Sequence, residues 1–263
     1  MSWASRRRTT YLGSIILFFA LLIGIPITNY ILSIEPTCFD GAQNQDETAI
    51  DQGGPCLALD PLSLSPSATL WARSFKVRDG SYTAVAYIAN PNLNAGATDV
   101  HYHVALYDSD NILVAERDGT TFIMPGGGIT PVLITGLETG NRVAVHTIFQ
   151  ITERVIAWKR MMNPAAVLKI RDQKVSDTTT VPRITARVDN TSFAPLYNIV
   201  FVAVAFDPFG NSIAASRTAL LELGPNSSSD ITFTWPQPFS GKVGRVDIIP
   251  LLPPLDAPPQ MES

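Results

Sequence analysis

The chain has 263 residues, a formal net charge of -4 and a sequence pI near 5.3, so it lacks the basic footprint of a protein built to bind nucleic acid. Its 20 prolines and 17 glycines lie between short runs rich in Val, Ile, Thr, Phe and Tyr, a composition of strands and turns rather than of long helices. The length admits one large domain or two of about a hundred residues each.

The N-terminus is the exception. After "SRRR", the segment Tyr11 to Ile34 carries no charge over 24 residues. A helix of that length rises ~1.5 Å per residue and reaches roughly 36 Å, against a bilayer core of about 30 Å. Pro26, close behind Gly24, permits a kink without preventing insertion. Residues 11–34 are therefore expected to form a single transmembrane helix behind a cytoplasmic stretch, 1–10. A cleaved signal peptide shares the charged start and apolar centre, but this run exceeds the usual apolar core and no small-x-small site follows it. Twin-arginine export lacks its cleavage site, and a lipoprotein lacks the small residue before Cys38. Arg6, Arg7 and Arg8 precede the span, whereas residues 35–72 hold Glu35, Asp40, Asp46, Glu47, Asp51 and Asp60 and no Lys or Arg. The positive-inside rule then places the N-terminus in the cytoplasm and the rest of the chain outside the cell membrane.

Residues 35–66 read as an extracytoplasmic linker. Cys38 and Cys56, the only two cysteines, enclose a polar, Gly-containing stretch that burial alone does not hold. In an oxidising compartment a disulfide between them restricts it. A metal pair is the sharper alternative, with no His or further Cys nearby to complete it, and two free thiols are the third.

The body contains an internal echo. Setting the segment from Tyr87 beside that from Arg187 brings Asn90 onto Asn190, Tyr107-Asp108 onto Phe206-Asp207 and Pro125 onto Pro225. Strands are expected near 69–77, 82–89, 99–107, 112–117, 120–124, 130–135 and 142–150, with 154–158 as an added strand or connector. In the second copy they fall near 166–175, 182–189, 197–206, 212–217, 219–223, 229–235 and 242–250. About seven short strands in a hundred residues fit a β-sandwich, giving one sandwich over 67–161, another over 162–252 and a Pro-rich tail, 253–263, expected to be extended as a spacer or docking peptide. Val100, Tyr102, Val104 and Leu106 share one strand face, as do Ile199, Phe201, Ala203 and Ala205. The second of these strands is apolar on its other face too, through Val200, Val202, Val204 and Phe206. Either it is buried on both sides or its outer face meets the neighbouring domain.

The order of Asn turn, hydrophobic strand, aromatic-Asp turn with Gly or Asn, and Pro/Gly turn resembles the immunoglobulin-like β-sandwich of bacterial FxLYD-type and late-embryogenesis-abundant type domains. It does so over Tyr82 to Gly128 and again over Ile184 to Ser229. The resemblance implies an all-β protein of two tandem Ig-like sandwiches behind a membrane anchor, and brings no catalytic residues.

The candidate chemistry is sparse. Asp108 and Asp207 are expected to cap turns through their side-chain oxygens, with Asn111 and Gly210 taking left-handed backbone. A calcium loop through Asp108, Asp110 and Asp118 fails because Leu113 stands where a Gly is required and no Glu occupies the twelfth position. His101 and His103 project from one strand face and can in principle reach one Zn2+ or Cu2+, with His146 on a strand nearby. Against that, Val200 and Val202 occupy the aligned positions. "MPGGGIT" at Met124 lacks the Lys-Ser/Thr of a phosphate loop and reads as a turn. "NTS" at Asn190 and "NSS" at Asn226 match the glycosylation pattern but read as plain turns. Trp71, Trp158 and Trp235 are expected in cores or at the domain junction rather than on a sugar platform. No nucleophile elbow or acid/base pairing stands out. The expectation is a non-catalytic, cofactor-free, integral membrane protein that binds a protein partner or itself through sandwich faces in a cell-envelope assembly. The alternative is an envelope module for a glycan, or for a metal through His101 and His103.

Overall fold

The computed structural model describes residues 3–33 and 37–257. Helix α1 spans Trp3–Ser33, longer at its start than the expected 11–34 because the arginine run is itself helix-compatible; Ile34 and the first two residues lie outside the described residues. Its stretch Tyr11–Thr28 has a mean hydropathy of 2.2, which makes it long and apolar enough to cross a membrane, and none of it is buried. Pro26 sits inside it, and one turn of backbone around it is tied by the Thr28 hydroxyl, which donates to the carbonyl of Gly24 at 2.7 Å.

The linker is more ordered than its composition predicts. A small hairpin, β1 (Glu47–Ala49) and β2 (Gln52–Gly53), lies inside the loop closed by a Cys38–Cys56 disulfide. The disulfide leaves neither sulfur free for the metal pair considered from the sequence. The segment is then fastened along the body: the Leu59 N–H donates to the Trp158 carbonyl, the Arg160 N–H to Leu57 and the Arg160 guanidinium to Gly54. Ser65 and Asn92 exchange two further bonds.

The body is built of antiparallel strands. The first set is β3 (Ala68–Arg78), β4 (Ser81–Ala89), β5 (Ala95–Tyr107), β6 (Leu113–Ile123), β7 (Ile129–Glu138), β8 (His146–Ile151) and β9 (Lys159–Met162). The second is β10 (Leu168–Ser176), β11 (Arg183–Asn190), β12 (Leu196–Phe206), β13 (Ser212–Leu223), β14 (Ser228–Thr234) and β15 (Arg245–Leu251), followed by β16 (Leu255–Asp256). Sheet β3-β4-β7 faces a sheet in which β5 is flanked by β6 on one side and by β8 and β9 on the other. Sheet β10-β11-β14 faces β13-β12-β15. In each sandwich the first, second and fifth strands make one sheet, and the third lies between the fourth and sixth in the other.

Several expected boundaries move. The pairs 112–117/120–124 and 212–217/219–223 are each one continuous strand, β6 and β13. Gly119, between the two expected strands, lies opposite Tyr102 in the ladder, and a Cβ there would stand 2.4 Å from the Tyr102 hydroxyl. It makes room for a ring and turns nothing. The 154–158 stretch is a connector, and the added strand is β9, paired to the start of β5. The tail folds back: β16 pairs with β9, Leu255 opposite Met162 and Asp256 opposite Met161. Residues 258–263 of the tail lie outside the described residues.

Three apolar clusters hold this together. One, with Ile88, Val104, Leu106, Ile123 and Leu137, fills the first sandwich. Another, with Ile184, Ile199, Phe201 and Phe233, fills the second. The third lies between them and joins Val85 and Tyr87 of β4 to Val202, Val204 and Phe206 of β12, with Trp71, Leu133 and Ile249 packed around. Two strands are thus buried on both faces: β4 turns Ala84, Ala86 and Ile88 inward and Val85 and Tyr87 outward, and β12 does the same with Phe201 and Ala203 against Val202 and Val204. The result is four sheets in a stack, with β13 lying across β3, β4 and β7 at the middle junction.

Candidate functional site

The two aromatic-Asp turns share one geometry. Asp108 Oδ1 accepts the N–H groups of Asp110 at 3.0 Å and Ile112 at 2.9 Å. Asp207 Oδ1 accepts those of Phe209 at 2.9 Å and Asn211 at 2.8 Å. Asn111 and Gly210 take the left-handed backbone, with φ of 57° and 87°. Both carboxyls are held below their ordinary range: Asp108 by the Ile112 N–H above all, helped by Arg142 against the opposing effect of burial, and Asp207 by the Asn211 side-chain amide first. These are structural caps.

The Asn turns are equally alike. Asn90 is 1% exposed and its amide donates to the carbonyls of Ala95 and Met124. Asn190 is also 1% exposed and its amide donates to Ala194 and Gly224, while its oxygen accepts from Ser192. The Asn190 side chain is therefore closed to glycosylation in the folded state, whereas Asn226 is exposed.

His101 and His103 do share the outer face of β5, and each meets a carboxylate the sequence reading missed. His101 Nδ1 lies 2.6 Å from Glu153 Oε1, and His103 Nδ1 lies 2.8 Å from Asp118 Oδ1, with Glu116 3.6 Å from its other nitrogen. Burial pushes the Glu153 carboxyl up, but the bonds from the His101 backbone and ring outweigh it and hold the group below its usual range. The partners were findable: Glu116 and Asp118 alternate on β6 and fall beside His103 once the Asp108 turn sets the register. Glu153 follows β8 in an irregular stretch and had no such signal. His146 is placed apart, opposite Tyr107 and four residues along β5 from His103, a distance of roughly 13 Å. The histidine sets gather no three donor atoms within 4.8 Å of one another among the described residues; Cys38, Glu47 and Cys56 do.

The tryptophans divide as expected between cores and junction. Trp158 and Trp235 are 8% exposed in the first and second cores, the latter donating its indole N–H to the Ala215 carbonyl at 3.0 Å. Trp71 stands at the junction, 4.4 Å from Tyr87 and 6.0 Å from Phe206 between ring centroids. There Arg245 lies over the Phe206 ring at 4.2 Å, and Arg73 donates to the Ser212 carbonyl at 3.0 Å. Tyr87, buried and near Asp247, has its hydroxyl pKa pushed up by desolvation first.

Open to a partner are apolar side chains in turns, Phe193 and Phe209 among them, and two polar outer sheet faces. The first outer face carries the two histidines with Glu116 and Asp118. The second carries Arg187 facing Asp230, and Arg171 gripping Asp189 through two nitrogens. A shallow groove of about 730 Å³ beside β8 is lined by Arg73, Tyr107, Asn111 and His146.

Fold and site together define an all-β protein of two face-packed sandwiches behind one apolar helix. No protein-family model matches the chain, and no curated protein matches it. Solved structures that resemble it include a red sea bream transglutaminase, at 12% identity and a TM-score of 0.21 over 70% of this chain and 29% of that one. Another is a putative beta-galactosidase from Bacteroides fragilis, at 13% identity and 0.19 over 68% and 33%. The chain spans about a third or less of each, and likeness at these scores carries nothing about activity.

Proposed function

We propose that the protein is a non-catalytic scaffold of the cell envelope, anchored by α1 with its N-terminus in the cytoplasm and its sandwiches outside. In this reading the sandwiches are immunoglobulin-like and descend from one duplicated module, which their common strand order supports. The observation that carries the proposal is the apolar junction between β4 and β12. It joins the sandwiches into one block, so an apolar helix with no buried residue over Tyr11–Thr28 carries a body that keeps two polar sheet faces outward. A block of this kind holds a partner, or a second copy, at a set distance from the membrane.

The test is site-directed photo-crosslinking in intact cells, with the crosslinker at His103 on the first outer face and at Thr232 on the second. A discrete adduct with another polypeptide from either face supports the scaffold, and an adduct only with itself reduces it to self-association. No adduct from either face removes it. Proteolysis of intact cells checks the orientation, since the body should be cut from outside while the extreme N-terminus is protected.

A further inference from the structure

Glu47 opens β1, and its carboxylate is buried, with the residue 6% exposed. Oε2 accepts the N–H groups of Asn44 and Asp51, each at 3.2 Å. Oε1 lies 3.1 Å from Sγ of Cys56, a residue 1% exposed. That sulfur is in the disulfide and carries no hydrogen. Among the described residues Oε1 therefore faces a sulfur and has no hydrogen-bond donor, the costly condition for a buried charged oxygen. One chemical change at this place removes it: Cys56 as a thiol donates to Oε1 from the distance it already occupies.

We propose that Cys38–Cys56 is a thiol-exchange site, opened by a small thiol or dithiol reductant, in which Glu47 holds the reduced Cys56. The incoming thiolate attacks Cys38, the more accessible of the two sulfurs. A new bond forms to Cys38 and the bridge breaks. Cys56 leaves as a thiolate, takes the proton released by the reductant, and donates it in a hydrogen bond to Glu47. A second reductant thiolate then attacks the mixed disulfide at the reductant's own sulfur, and Cys38 is released and protonated. Two electrons and two protons pass from two thiols to the two cysteines, and the reductant leaves as its disulfide.

The consequence for the tether rests on α1 being an anchor; the exchange itself does not. Closed, the bridge holds the two Cα atoms 5.4 Å apart and shorts out the 18-residue separation between them. Opened, the nine residues from Cys38 to Glu47 span up to roughly 30 Å, while the Cys56 side stays docked through Glu47 and Arg160.

The test uses full-length protein in detergent, equilibrated in glutathione buffers at constant pH, with the reduced fraction read by alkylation and mass spectrometry. Glu47→Gln preserves size and an acceptor for Asn44 and Asp51 but removes the charge facing sulfur, so the equilibrium should move toward the disulfide by about tenfold. If Glu47 served only to hold the hairpin, its loss would loosen the closed form and move the equilibrium toward thiols. A shift in that direction, or none, overturns the proposal. Without any variant, maleimide should modify Cys38 of the reduced protein at least several-fold faster than Cys56, and equal rates overturn it as well. Neither readout depends on whether the sandwiches hold a partner.

Discussion

Asn90 and Asn190 each replace several missing backbone bonds in a turn with one buried amide. Removing the amide strands the buried carbonyls of Ala95 and Met124 in the first turn and of Leu223 in the second, so Asn90→Ala and Asn190→Ala should each cost about 2–3 kcal/mol. Urea denaturation measures this, and a loss under about 0.5 kcal/mol in both would deny the turns their role. The carboxyls predict a pH dependence. Asp189 is lowered to about 2, first by the Arg171 guanidinium and then by the Ser228 hydroxyl, and Asp108 and Asp207 are lowered as described. Groups depressed in the folded state are protonated more readily in the unfolded chain. Their stabilisation is complete above the ordinary carboxylate pKa of about 4 and is lost as the pH falls toward 2. Thermal melts should be flat against pH from 7 to 5 and drop below 4, and Asp189→Asn should make the acid drop smaller. At this scale the turn residues were legible from sequence, because an Asx cap needs only its neighbours two to four positions on. Glu153 facing His101 was not, because it arrives from an irregular stretch after β8, whereas Glu116 and Asp118 follow once β6 is set in register against β5.

Among the elements, β4 and β12 matter most. Val200, Val202, Val204 and Phe206 left two readings open, burial on both sides or a domain contact, and both describe β12, since the contact is what buries its second face. The aligned face of β5 carries His101, His103, Ala105 and Tyr107 and remains on the outside. The same contrast holds between Val85 and Tyr87 on β4 and Thr185 and Arg187 at the matching places on β11. Each junction face is apolar in one sandwich and polar in the other, so the modules stack once and the ends are capped by polar surface. Val202→Asp puts an unpaired charge into the junction and should cost about 3 kcal/mol there. X-ray scattering should show a longer particle, and the 163–167 connector should become sensitive to protease, while the far-ultraviolet circular dichroism persists. An unchanged scattering profile would mean that the connector and the tail, rather than the apolar face, hold the sandwiches together.

Across the whole molecule, the chain closes on itself. Linker, β9 and β16 meet at one edge of the first sandwich, so the segments before and after the two sandwiches stabilise the same place. Deleting residues 253–263 removes β16 and the buried Pro254 and should lower the Tm by about 3 °C. Scanning calorimetry checks it, and an unchanged Tm would make the pairing incidental. The sequence alone determined the apolar helix, the all-β body, the turn caps and the inward faces of the long strands. All of these follow from local patterning, where a period of two or a turn residue speaks for itself. Only the tertiary structure decided which outer face meets which, that Gly119 yields to Tyr102, that the tail returns to β9, and that Glu47 faces the Cys56 sulfur. Each of these depends on residues far apart in the chain, and their meeting is set by how whole sheets pack rather than by any pattern within one strand.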